Sequence, residues 1–302
     1  MNTALKIAAF ATGLTTAFGA AYGVGHATGT GPRPTASTTA AGAHAGHTPE
    51  APNAAEHLPG GLQVSERGYT LSVDDPFVTA GATPTDLRFR ILGADGHPVT
   101  DYRPAHEKEL HLIVAPRDLT SFQHLHPTRA ADGTWSAAAA LPTAGEYRVF
   151  ADFTPAGAAE GLTLGADLHA AGDLRPAPLP ETGRSVTVDG YTVTLGGDLT
   201  PGRPARLTLT VTRDGRPVTD LQPYLGSYGH LVALRAGDLA YLHVHPESTT
   251  PGPEVAFTAT APSPGAYRLF LDFRHGDAVR TAAFTVTTPG GDAPTEADAH
   301  RH

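Results

Sequence analysis

Beyond residue 61 the chain is written in short stretches where apolar and polar residues alternate. Leu87-Arg88-Phe89-Arg90-Ile91 and Leu207-Thr208-Leu209-Thr210-Val211 are the clearest cases. A period of two puts every other side chain on one face, so these stretches read as half-buried strands. Asp-Gly at 95–96 and at 214–215 marks turns. Gly145-x-Tyr147 and Gly265-x-Tyr267 each open a further apolar strand. No stretch after residue 30 keeps a helical period over three turns, and the pattern predicts an all-β chain.

The pattern also repeats. Tyr69-Thr70-Leu71-Ser72-Val73 matches Tyr191-Thr192-Val193-Thr194-Leu195, and Asp95 to Asp101 matches Asp214 to Asp220. Gly145-Glu146-Tyr147-Arg148-Val149-Phe150-Ala151-Asp152-Phe153 matches Gly265-Ala266-Tyr267-Arg268-Leu269-Phe270-Leu271-Asp272-Phe273. Two copies of one domain are expected, at 62–178 and 184–288. Short strands at this density predict tandem β-sandwiches of immunoglobulin or cupredoxin type. Tyr147 and Tyr267 sit where such sandwiches carry a corner tyrosine, and Trp135 and Phe257 are expected in the cores.

Composition bounds the rest. The net charge of −9 comes from scattered acids, and no basic stripe points to nucleic acid. With no cysteine and one methionine, sulfur-ligated metal centres are excluded. Lys6 is followed by an uncharged, largely apolar run from Ile7 to Gly25, which reads as an export signal over 1–27. It is either an anchor holding the protein to the cytoplasmic membrane or a cleaved peptide, with small residues for cleavage at Gly19-Ala20-Ala21 and Gly25-His26-Ala27. Residues 28–61 hold too few large apolar side chains to fold and are expected to form a disordered linker, which carries His44, His47 and His57. Residues 289–302 are expected to form a disordered tail.

The candidate chemistry is a histidine triad present in both copies. His111 is followed after twelve residues by His124-Leu125-His126-Pro127, and His230 after twelve residues by His243-Val244-His245-Pro246. With a two-residue turn at Arg117-Asp118, His111 faces His124 across a hairpin, about 4.5–5.5 Å away at Cβ, and His126 joins them on the same face. A turn at Ala236-Gly237 does the same for His230, His243 and His245. Three imidazoles on one face suit Zn(II) or Cu(II), the expected cofactors. Asp152 and Asp272 are the matched carboxylates that complete the shell or bond a ligand's second nitrogen.

A different reading stays open. The same face carries Ile113 and Phe122 in one copy and Val232 and Tyr241 in the other, so the histidines also fit a packed, metal-free structural face. Asp152 and Asp272 equally fit pairing with Arg148 and Arg268. His106, His169 and His275 have no counterpart in the other copy and read as incidental. No nucleophile elbow, His-Glu-x-x-His or phosphate loop is present, and no enzymatic activity is expected.

The segments Asp118 to Pro127 and Gly237 to Pro246, with the closing Tyr-Arg-x-Phe-x-Asp-Phe of each copy, resemble uncharacterised exported actinobacterial proteins, some labelled as heavy-metal or copper related. More distantly the domains are similar to copper-resistance and cupredoxin-like sandwiches of the cell envelope. The resemblance covers about 62 to 288 and implies metal handling outside the cytoplasmic membrane. Blue-copper electron transfer is not implied, because the Cys and Met ligands are missing. The expectation is a membrane-tethered or secreted metal-binding protein. A metal-free immunoglobulin-like module that is structural or meets an envelope protein partner is the alternative.

Overall fold

The alternating stretches form strands throughout. A computed structural model of the chain describes residues 58–247 and 250–290, with the backbone alone at His243. The export segment at 1–27 and most of the linker lie outside the described residues, as does the tail from 291. Among the described residues no helix is long and apolar enough to cross a membrane.

The first repeat contains β1 (Ser65–Glu66), β2 (Tyr69–Val73), β3 (Phe77–Thr79), β4 (Thr85–Leu92), β5 (Leu110–Pro116), β6 (Gln123–Leu125), β7 (Thr128–Arg129), β8 (Trp135–Ala139), β9 (Gly145–Phe153) and β10 (Leu162–Ala171). They make two sheets, β1-β2-β4-β8-β7 and β3-β10-β9-β5-β6. The second repeat contains β11 (Ser185–Val188), β12 (Tyr191–Gly196), β13 (Pro204–Arg213), β14 (Arg216–Pro217), β15 (His230–Arg235), β16 (His243–Pro246), β17 (Glu254–Thr260), β18 (Ala266–His275) and β19 (Ala278–Thr287). Its sheets are β11-β12-β13-β17-β16 and β15-β18-β19. These are two tandem immunoglobulin-like β-sandwiches.

Each sandwich closes on its own core. In the first, Phe89 and Trp135 from one sheet meet Val114 and Val149 from the other; in the second, Val211 and Phe257 meet Leu269 and Phe284. The corner tyrosines do their structural work: Tyr147 Oη donates to Thr143 O at 3.0 Å, and Tyr267 Oη to Ser263 O at 2.6 Å.

A third apolar cluster joins the repeats. Ile113, Ala115 and Phe150 turn away from the first core and meet Val232, Leu234 and Phe270 of the second repeat. Phe122 stacks on Phe270 at 4.4 Å. This explains why β5 is buried at all seven positions and does not alternate. Both of its faces are covered, as a continuous apolar run implies. The junction extends to residues that the sequence assigns to the linker. Gly60 bridges Tyr241, and Arg148 Nε donates to Gly61 O at 2.7 Å. Gly165 admits this strap, since a Cβ there would lie 2.0 Å from Gly61 O.

The hairpin register differs from the expected one by two residues. Ile113, not His111, stands opposite His124. The turn is not a two-residue loop: Leu119 turns at φ 55 with its side chain buried in the junction, and Asp118 Oδ1 accepts from Thr120 N. Leu239 at φ 62 and Asp238 repeat the device, so Leu234 bridges Tyr241. A shift of two keeps every side chain on its expected face; a shift of one would have reversed them.

Candidate functional site at the repeat junction

The first triad is assembled. One nitrogen from each of His111, His124 and His126 lies within 4.8 Å of the others, the one such ligand group among the described residues. Ring centroids are 5.2 Å apart for His111–His124, 5.4 Å for His111–His126 and 4.8 Å for His124–His126. Three imidazoles on a tetrahedral ion, at metal–nitrogen lengths of about 2.0–2.1 Å, place their centroids about 5.2 Å apart.

Among the described residues the second triad forms no such group. His230, buried on β15, points into the first group: its ring lies 5.9 Å from His124 and 6.4 Å from His111. His245 is exposed on β16, which pairs with β17 in the opposite sheet, with His245 across from Thr258. The side chain of His243 lies outside the described residues. The physical reason for the split is the crossing point between sheets. In the first repeat the chain pairs with β5 through Leu125 and reaches β8 only at Thr128. In the second it joins β17 already at His243.

The two carboxylates take unequal roles. Both sit in a matched row, His111–Asp152–Thr163 across β5, β9 and β10, and His230–Asp272–Thr281 across β15, β18 and β19. Asp272 Oδ2 accepts from His124 Nδ1 at 3.1 Å, across the junction, while Oδ1 accepts from Thr281 Oγ1 at 2.6 Å. Asp152 bonds Thr163, and its burial pushes the carboxyl up to about 6. Neither belongs to the ligand group. Neither pairs with the neighbouring arginine: Arg148 Nη1 donates to Asp167 and Arg268 Nε to Leu119 O.

Backbone carbonyls orient the other rings. His111 Nε2 lies 3.0 Å from Ala105 O, and His230 Nε2 lies 2.7 Å from Tyr224 O. Both carbonyls start matching tight turns. In one, Ala105 and Lys108 exchange backbone bonds around His106 (φ 47) and Glu107 (φ 64); in the other, Tyr224 and Ser227 do so around Leu225 (φ 53) and Gly226 (φ 72). Positive φ at three non-glycine residues stores strain, of order 1 kcal/mol each or more. His106, read from sequence as incidental, is held there 5.2 Å from His230 and 6.1 Å from His111. Comparison of the copies discards it because Leu225 is its partner. The sequence signal that remains is a turn directly before the first histidine of both copies. The other two unmatched histidines lie elsewhere: His169 meets Glu146 at 2.6 Å, and His275 meets Tyr191 and Asp220.

Hydrogen-bond accounting exposes a missing positive charge. Asp272 requires the proton of neutral His124 on Nδ1, so Nε2 is bare. Ala105 O requires the proton of neutral His111 on Nε2, so Nδ1 is bare. Those two bare nitrogens are 3.0 Å apart. With neutral rings, every tautomer choice leaves one pair of electron-rich atoms face to face. His126, the third ring of the group, has its Nε2 buried without a hydrogen-bond partner among the described residues. A cation or an added proton resolves the contact. Burial lowers His111 and His230 to about 4 and His126 to about 3, in each case reinforced by repulsion from His124. Burial lowers His106 as well. These shifts favour the neutral imidazole, the form that ligates a metal.

Fold and site define a class: a two-repeat β-sandwich protein with an imidazole cluster buried where the repeats meet. Residues 63–167 and 186–290 match a domain of unknown function, DUF8832, and the chain belongs to that family. Comparison with curated protein sequences returns no match. Among solved structures, InvD of Yersinia pseudotuberculosis is 13% identical with a TM-score of 0.26, covering 74% of this chain and 58% of its own. Invasin, a bacterial integrin-binding protein, is 13% identical with a TM-score of 0.23, over 75% of this chain and 41% of its own. Domains 4 and 5 of the S-layer protein SbsC are 12% identical with a TM-score of 0.21, over 75% and 98%. Similarities at this level carry no argument about this chain.

Proposed function

We propose that this protein binds one divalent cation, Cu(II) or Zn(II), between its repeats, through His111, His124 and His126, and serves metal sequestration, delivery or sensing outside the cytoplasmic membrane. The observation that carries this reading is the approach of His111 Nδ1 to His124 Nε2, with a nitrogen of His126 within 4.8 Å in the same group. Ala105 O and Asp272 hold the far nitrogens of two of these rings, the arrangement that fixes tautomers in metal sites. The extracytoplasmic placement rests on the apolar run from Ile7 to Gly25. Calorimetry with Cu(II) and Zn(II) on the full chain tests the reading. A His111→Ala/His124→Ala/His126→Ala variant is expected to lose at least about 100-fold in affinity. Unchanged affinity in that variant would sink the proposal.

A metal-free structural or interaction module is the second reading. The stacked Phe122–Phe270 pair and the His124–Asp272 contact favour it, because both join the repeats directly. In that case an added proton replaces the cation in the His111–His124–Asp272 chain. The same triple variant would then lower the melting temperature equally with and without a chelator.

A further inference from the structure

The triad's spacing suits a tetrahedral ion, and three nitrogens leave one corner of it free. His230 does not fill that corner as it stands: its centroid distances of 5.9 and 6.4 Å from His124 and His111 exceed the tetrahedral spacing by about an ångström. A cavity of about 80 Å³ lies against the same two rings. Its polar wall is formed by His106, Asp152 and His230, and its apolar wall includes Val232, Val244 and Phe257. This volume suits a few waters or a molecule of roughly two to four heavy atoms. His230 spends Nε2 on Tyr224 O, so its Nδ1 remains an acceptor. The cavity therefore sets hydrogen-bonding groups beside the ion and apolar walls around them, the make-up of a small-ligand pocket.

Resting on the cation reading above, we propose that the bound ion keeps its fourth position open to this cavity and takes a small exogenous ligand there, one that offers a lone pair. The second repeat then contributes the walls of a ligand pocket, and the first repeat contributes the ion. Structural zinc sites are closed by four protein ligands; three protein ligands leave a position that an outside molecule can take.

Azide added to the copper-loaded full chain is the probe. It should produce an azide-to-copper charge-transfer band and change the copper electron paramagnetic resonance spectrum. Val244→Phe, which fills the cavity from β16, should weaken azide at least about tenfold and leave copper affinity within about threefold. A size series on the unaltered chain gives an independent readout: azide should bind, and benzoate should not. Copper bound with no response to azide would overturn the pocket alone and leave the cation reading standing. Equal response to azide and benzoate would overturn the pocket too, as would a folded Val244→Phe chain with unaltered azide affinity. Absence of tight copper binding would overturn both readings together.

Discussion

The two repeats share a sequence plan and diverge at one strand. In the first, His124 stays beside β5 and joins His111; in the second, the chain has already left β15 when it reaches His243. The residue before each His-x-His motif accounts for the difference. Gln123 sends its side-chain amide to Ala140, donating from Nε2 to O at 2.6 Å and accepting from N at 2.8 Å. Thr260 occupies the position matching Ala140, and there the backbone of His243 is the pairing partner. Leu242, matching Gln123, has no amide to offer and is buried in the second core. One side-chain amide thus substitutes for a strand rung, holding the first strand in the junction sheet for three more residues. Duplicated sequence has given one composite cluster, with three imidazoles from one copy and supporting groups from the other.

Changing the supporting groups should break this asymmetry. Asp272→Asn removes the carboxylate that orients His124, and calorimetry should show cation affinity falling about 10–100-fold. Asp152→Asn, the matched change, should alter it by less than about threefold. Equal effects would restore a symmetric pair of sites. Gln123→Leu makes the first repeat resemble the second and leaves the backbone of Ala140 unpaired. Chemical denaturation should show a loss of about 1–3 kcal/mol, and cation affinity should fall with it; a variant that keeps both would remove the amide from the explanation.

A pH dependence of the metal-free chain bears on the same junction. His111 and His230 bind protons near pH 4 in the fold, against about 6.5 in an unfolded chain. Between those values the unfolded state holds more protons. Stability contributed by the two rings is complete above about 6.5 and declines as pH falls toward 4. Melting temperatures of the metal-free chain should fall over that window and fall less in His230→Phe. A flat profile would mean the two rings are not held neutral.

The sequence made most of the fold legible, because alternation and punctuation are local signals. The repeat, the corner tyrosines, and the buried Trp135 and Phe257 follow from spacing alone. The shared face of His111 and His124 was legible too, since it depends on parity, and the register error was even. The joining of the repeats was not. Ile113, Phe150, Val232 and Phe270 mark a covered face, but nothing local says that each repeat covers the other. The same gap concealed His106 and the reach of Asp272 to His124, which depend on how the repeats meet; the departure of His245 depends on where the strand changes sheets.

The proposed cation site is single and built from the first triad. A copper titration against a competing chelator tests it on three full chains: unaltered, His124→Ala/His126→Ala, and His245→Ala. One tight site per chain is expected, lost in the double variant and kept within about threefold in His245→Ala. Two equivalent tight sites, or a loss in His245→Ala matching that of the double variant, would contradict it.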